Sequence, residues 1–293
     1  MDPLKQYDKP LFKVVKILLA IAAYGYLAYK LISYKDYSSL FSTWDTLNME
    51  RIGWLICALI LFPLNLFLEA VKWRFLLKDI HPISYAEASR QVYCGYVGAF
   101  VTPYRVGDYP ARAMDFGDKT LWGKATVLGF VGGAAQTIVI ILFGIFPSIY
   151  YLNHNLNIVW VFLGAVICMA VILFAPRLIK EKFSFTTLLG AMGWSALRYA
   201  VFSWQLYAAL LFVGAPMTLL DALSVIPLYY MLVTVTPNMP AADLGIRGGW
   251  AMVLFDRYTT IPLITLAILL IYIINTLLPT IIGSFLLYRR PTK

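Results

Sequence analysis

Six apolar runs dominate this sequence, at about 11–33, 52–77, 120–150, 158–176, 186–213 and 262–288. Each approaches or exceeds the roughly 20 residues that a helix needs to cross the hydrocarbon core of a bilayer. In that solvent every backbone N–H and C=O has to be satisfied within the protein, so a chain built from such runs folds as helices. Composition agrees: 61% of the residues are hydrophobic and 13% are charged, about half the charged share of an ordinary soluble domain. The reading is an all-α polytopic membrane protein. The first run contains Lys30 and has no cleavage-site pattern, so it reads as a retained helix and not as a signal peptide.

Two further apolar stretches, 84–101 and 219–235, are too short to cross with ease. Each runs directly into a threonine-proline break, "VTPYRVGD" at 101–108 and "VTPNMPAADLGIRGG" at 235–249. Proline ends a helix, and glycine permits a tight reversal. Charge placement supports reading both as re-entrant hairpins. Lys5, Lys9, Lys13 and Lys16 put the N-terminus in the cytoplasm, and "KWRFLLK" (72–78), "RLIKEK" (177–182) and "RRPTK" (289–293) then fall on the same side, while "NHNLN" (153–157), without Lys or Arg, falls outside. A full crossing at 84–101 would put "RLIKEK" on the wrong side.

The expected organisation is one transmembrane domain over 1–293: a leading helix and outer loop (11–51), a first repeat (52–150), a linking helix (158–176) and a second repeat (186–288). That makes about six crossings and two re-entrant hairpins. An odd number of crossings separates the copies, so the second is expected upside down. Inverted repeats with broken helices are a transporter architecture whose site lies near the midplane, where the breaks meet. The localisation expected is a bacterial cytoplasmic membrane with both termini in the cytoplasm.

Irregular backbone at membrane depth survives only when buried in protein or lining a wet cavity, and ionised groups there need partners or a polar ligand. Arg105, Asp108 and Arg112 lie within two turns of one another in the first break. Their surplus of positive charge suits an anionic headgroup, since a guanidinium grips phosphate with paired hydrogen bonds; equally, an Arg–Asp staple that only holds the hairpin's shape would use the same residues. The second break offers Asn238, Asp243 and Arg247, with a glycine-rich end able to turn backbone N–H groups toward an anion. Two polar stripes follow helical spacing: Asn65, Glu69 and Lys72 in the second crossing, and Ser195, Arg198, Phe202 and Gln205 in the fifth. Arg198, about midway along its helix, is a candidate site residue by default. Glu69 and Lys72 read more simply as a mutual pair, and Gln136 and Asn275 as interhelical hydrogen-bond glue.

The segments "NLFLEAVKWRFLLK", "SYAEASRQVYCGYVGAFVTPYRVGDYPARA" and "TPNMPAADLGIRGGWAMVLF" resemble the lysylphosphatidylglycerol synthase transmembrane family, the flippase-type membrane part of multiple peptide resistance factors and their stand-alone relatives. The resemblance rests on Thr102-Pro103, Arg105-Val106-Gly107, Arg112, the Glu69/Trp73/Arg74 cluster, and Pro240 with Gly245-Ile246-Arg247. Three positions depart from the family pattern: Tyr104 where glycine is usual, Asp108 where glutamate is usual, and Gly248 where a glutamate follows the arginine. The particular lipid is therefore not carried over. No soluble aminoacyl-transferase domain follows the last helix in this sequence, so the resemblance implies lipid translocation and not lipid synthesis.

The expected function is movement of an anionic or aminoacylated phospholipid, or a lipid-linked headgroup, between leaflets. Arg105, Arg112, Arg198 and Arg247 would hold the headgroup; Asp108, Asp243 and Glu69 would orient them or take a proton; Thr102, Thr236 and Asn238 would add polar contacts. Pro103, Gly107, Pro237, Pro240 and Gly245 would shape the tips. No nucleophile–base–acid set, HExxH, Walker loop or GxSxG appears, so no enzymatic activity is expected. No cofactor or metal is expected: Cys57, Cys94 and Cys168 are scattered, and His81 and His154 are isolated. Nucleic acid is not a partner, since the net charge of +9 sits at helix ends and not in a basic module. Membrane lipids are; a homodimer or a biosynthetic enzyme partner stays open. The alternatives are a membrane subunit in polyprenyl-phosphate or glycolipid biosynthesis, and a small-solute transporter.

Overall fold

The computed structural model describes residues 25–26, 28–33, 47–116, 118–151, 184–237 and 239–288, and no strand occurs among them. Helix α1 covers Met49–Leu77 and α2 Tyr85–Val101; after a short 3₁₀ turn at Pro103–Arg105 comes α3, Asp108–Arg112, and then α4, Lys119–Tyr151. The second half holds α5 Phe185–Phe212, α6 Leu219–Val235, α7 Asp243–Phe255 and α8 Ile261–Tyr272. A π-helical turn at Ile273–Leu277 leads from α8 into α9, Leu278–Tyr288. The expectations at 158–176, most of 11–33, Asn238 and the basic segments at 177–182 and 289–293 lie outside the described residues.

Met49–Leu77, Thr120–Ile145 and Ile261–Leu287 are long and apolar enough to cross a membrane. The crossing expected at 186–213 is the 28-residue α5, about 42 Å long at 1.5 Å per residue. Its apolar character is diluted by Ser195, Arg198, Ser203 and Gln205. The crossing expected over 262–288 is present but interrupted, because the π turn inserts one extra residue per turn.

Local chemistry explains why α2 and α6 start where they do. Ser84 accepts from the Glu87 N–H while the Glu87 carboxylate accepts from the Ser84 N–H, and Thr218 and Asp221 make the same reciprocal pair. These capping boxes satisfy backbone donors that a helix start leaves open. Both helices stop at a Thr-Pro pair, where proline cannot extend the ladder.

The two halves exchange contacts. α1 packs along α5, α6 lies against α4, and α2 lies against α9. Glycines make the last two approaches close: a side chain at Gly144 would run into Met231 of α6, and one at Gly283 would run into the Tyr93 carbonyl of α2. Small residues at such crossings let helices gain dispersion contacts in a solvent that offers no hydrophobic drive to associate. Each half has its own buried cluster, around Trp73, Leu76 and Leu77 in the first and around Leu210, Leu228, Leu232 and Phe255 in the second.

Candidate functional site

The two breaks are built alike. The Thr102 hydroxyl donates to the Gly98 carbonyl at 2.7 Å and accepts from the Gly107 N–H at 2.8 Å. The Thr236 hydroxyl donates to the Leu232 carbonyl at 2.7 Å and accepts from the Trp250 indole N–H at 2.9 Å. Each threonine thus bonds back to the last turn of its helix and ties the helix end to the segment beyond. Past each break an Asp–Arg pair four residues apart forms: Arg112 chelates Asp108 at 2.6 and 2.8 Å, and Arg247 Nε donates to Asp243 at 2.8 Å.

The reversal in the first break is not made by Gly107, as the sequence implies. Tyr104 and Arg105 take the left-handed conformation, with φ of 52° and 58°, while Gly107 is right-handed at φ −70°. Gly107 is needed for another reason: a Cβ there would stand 2.6 Å from both the Gly98 carbonyl and the Thr102 hydroxyl. The tip closes because two backbones touch. Gly245 likewise does not shape a tip, since it is buried within the first turns of α7. The glycine pair 248–249 also falls inside α7, and the first turn of that helix carries Asp243. A carboxylate already stands where the sequence suggests an anion would bind. Pro237 is exposed between α6 and α7, and Pro103 opens the 3₁₀ turn.

One buried carboxylate organises the interior. Glu69, 3% exposed, meets three cations from three elements: Lys72 of α1 at 2.8 Å, Arg112 of α3 at 2.6 Å and Arg198 of α5 at 2.8 Å. Arg198 also donates to Asn65 at 2.8 Å and to the Tyr96 hydroxyl at 3.3 Å. The expected Glu69–Lys72 pair is present, and Glu69 is more than the local partner of Lys72. The two polar stripes face each other, and the Arg–Asp staple exists and is wired to the other half of the chain. Gln205 links the same helices, donating to the Ala58 carbonyl and accepting from Asn275 in the π turn.

These residues wall a cavity of about 360 Å³. Of the residues singled out by sequence, Glu69, Arg105, Asp108, Arg112, Arg198, Thr236 and Arg247 line it. Thr102, Pro240 and Asp243 line a smaller adjoining pocket of about 20 Å³, together with Tyr104, Arg105 and Met239. The two breaks therefore converge, the first contributing Thr102, Tyr104 and Arg105 and the second Met239, Pro240 and Asp243. Five cations reach the main cavity (Lys72, Arg105, Arg112, Arg198 and Arg247), against three carboxylates, Glu69, Asp108 and Asp243, that pair with them. Arg105 is the exception: among the described residues it has no carboxylate partner and lies 5.6 Å from the Tyr96 ring. Sequence reasoning did not select the aromatic wall of Tyr96, Tyr109, Tyr229, Tyr230 and Tyr272, nor Asn275 and Thr276 in the π turn as lining residues. No group of three His, Cys, Asp or Glu placed to hold a metal occurs among the described residues.

Apolar membrane-length helices around a polar, charged interior define an all-α integral membrane protein. Comparison with protein-family models matches residues 14–186 to the lysylphosphatidylglycerol synthase TM region, and the chain belongs to that family. The second break lies beyond the matched segment. A search of curated proteins finds no matching relative.

Proposed function

We propose that this protein moves a lipid with a charged headgroup between the leaflets of a bilayer and does no covalent chemistry on it. The reading covers anionic and aminoacylated phospholipids and lipid-linked headgroups, in a bacterial cytoplasmic membrane with both termini inside. What carries it is the cavity shared by the two breaks, with five cations facing three carboxylates. A surplus of buried positive charge is costly in a membrane interior unless a ligand offsets it. A cavity of about 360 Å³ suits a headgroup and not a whole two-chain lipid, so acyl chains stay in the bilayer.

The exchanged packing of α2 on α9 and α6 on α4 supports a two-fold relation between the halves, and we read the second copy as inverted. In that arrangement rocking one half against the other opens the cavity to each side in turn. Arg105 and Arg247, on opposite breaks, hold the headgroup; Glu69, Asp108 and Asp243 orient the guanidinium groups. The test is reconstitution of the purified chain in liposomes with tail-labelled fluorescent lipids. Loss of one hydrogen bond to a charged group costs about 1.5–3 kcal/mol, so Arg105→Ala and Arg247→Ala are expected to slow transbilayer movement roughly tenfold to a hundredfold with unchanged protein yield. Unchanged rates reject the headgroup role.

A further inference from the structure

Resting on that reading, we infer that the cavity selects a lipid whose head carries phosphate and no ammonium group. The argument is about which charges in the cavity are already answered. An aminoacylated or choline-type head brings a cation that needs a carboxylate or an open aromatic face. All three carboxylates are occupied: Glu69 by Lys72, Arg112 and Arg198, Asp108 by Nε and Nη2 of Arg112, and Asp243 by Arg247. Seating an ammonium would mean displacing one of these buried cations and leaving it unpaired, which is strongly unfavourable in a low-dielectric interior. Part of the aromatic wall is engaged as well. Tyr230 packs edge to face on Phe202 and Tyr229, with centroids 4.6 and 5.2 Å apart, and the Tyr96 ring already faces the Arg105 guanidinium.

A phosphate meets the opposite situation. Arg105 has no carboxylate partner among the described residues, and its guanidinium can present a planar fork of donors to phosphate oxygens. Arg247 faces the same cavity with Nε committed to Asp243. Like-charge juxtaposition disfavours a wrong ligand as firmly as a good contact favours the right one. The cavity therefore accepts a phosphodiester or phosphomonoester head and excludes a head with added positive charge.

The experiment compares tail-labelled phosphatidylglycerol, phosphatidylcholine and lysylphosphatidylglycerol in proteoliposomes of the full chain, scored by external quenching. Thermal stabilisation of the detergent-purified protein by the same lipids and by inorganic phosphate runs in parallel. Phosphatidylglycerol is expected to move and to bind at least about tenfold better than either lipid with an ammonium, a preference worth about 1.4 kcal/mol. Arg105→Glu is expected to invert that order, slowing phosphatidylglycerol and admitting lysylphosphatidylglycerol, a gain that misfolding would not produce. Equal or faster movement of the ammonium-bearing lipids overturns the charge selection and leaves lipid translocation standing. If no lipid moves faster than in protein-free vesicles, both readings fall. Stabilisation by inorganic phosphate with no response to lipid overturns the lipid source and assigns the cavity to a soluble anion.

Discussion

Glu69 and Arg198 meet at 2.8 Å although 129 positions separate them in the chain, counting from their residue numbers. Their ion pair joins α1 to α5, and through Arg112 on the same carboxylate it joins both helices to the tip of the first hairpin. Breaking a buried ion pair by removing one partner costs about 3–5 kcal/mol, because the other charge is left without an answer.

Glu69→Ala takes the shared carboxylate from three cations, leaving Arg112 with Asp108 alone and Lys72 and Arg198 with no carboxylate among the described residues, whereas Arg198→Ala leaves Glu69 two of its three. Glu69→Ala is therefore the more damaging single change. The double variant is expected to lose less than the two singles added together, with a coupling of about 0.5–3 kcal/mol. Thermal unfolding of the four proteins in one detergent measures it. Additive losses would mean that the two residues stabilise the fold independently.

Tyr104 sits at φ 52°, a conformation that costs a residue with a Cβ roughly 1–2 kcal/mol. Tyr104→Gly removes that cost but adds about 0.4–1 kcal/mol of unfolded-chain entropy. The net expectation is stabilisation by up to about 1 kcal/mol, read as a raised midpoint of thermal unfolding. A lowered midpoint would show that the packing of the half-exposed ring outweighs its backbone.

The parts legible in the sequence were those with a short period. Stripes at Asn65, Glu69, Lys72 and at Ser195, Arg198, Gln205 follow from helical geometry, and the C-terminal ends of α2 and α6 follow from the two Thr-Pro pairs. What the stripes touch was not legible: that Glu69 takes three cations depends on how α3 and α5 dock on α1, and no local pattern encodes that. Gly107 was misread for the same reason. A glycine in a break is equally suited to a left-handed turn or to a close approach, and only the position of Gly98 decides between them. The π turn at Asn275 leaves no mark on an apolar run.

Two glycines one turn apart in α4 form the socket for the tip helix. A Cβ on Gly129 would stand 2.8 Å from that of Tyr109, and one on Gly133 would collide with the Tyr109 hydroxyl. Gly133→Val is expected to push Tyr109 and α3 out of place, costing about 1–3 kcal/mol by overpacking and slowing transport through loss of the Arg112 geometry. Adding Tyr109→Ala empties the socket and should restore much of the stability. No rescue by the second change would place the defect in α4 itself.

The two capping boxes make a pH prediction with a definite sign. Hydrogen bonds from the Ser84 backbone and side chain hold the Glu87 carboxyl below its usual range, and the Thr218 hydroxyl does the same for Asp221. A carboxyl whose folded pKa is lowered stabilises the fold above its unfolded pKa, roughly 4 for both residue types, and loses that contribution as pH falls through the lowered value. Glu87→Ala and Asp221→Ala should therefore reduce the unfolding midpoint at pH 7. The gap to wild type should narrow below about pH 4, as the wild-type caps become protonated. Glu87 is exposed and Asp221 about one-third exposed, so the effect is small for each variant and is best read in the double variant. A gap of constant size from pH 7 down to pH 3 would show that the alanines act through helix packing and not through the charged caps.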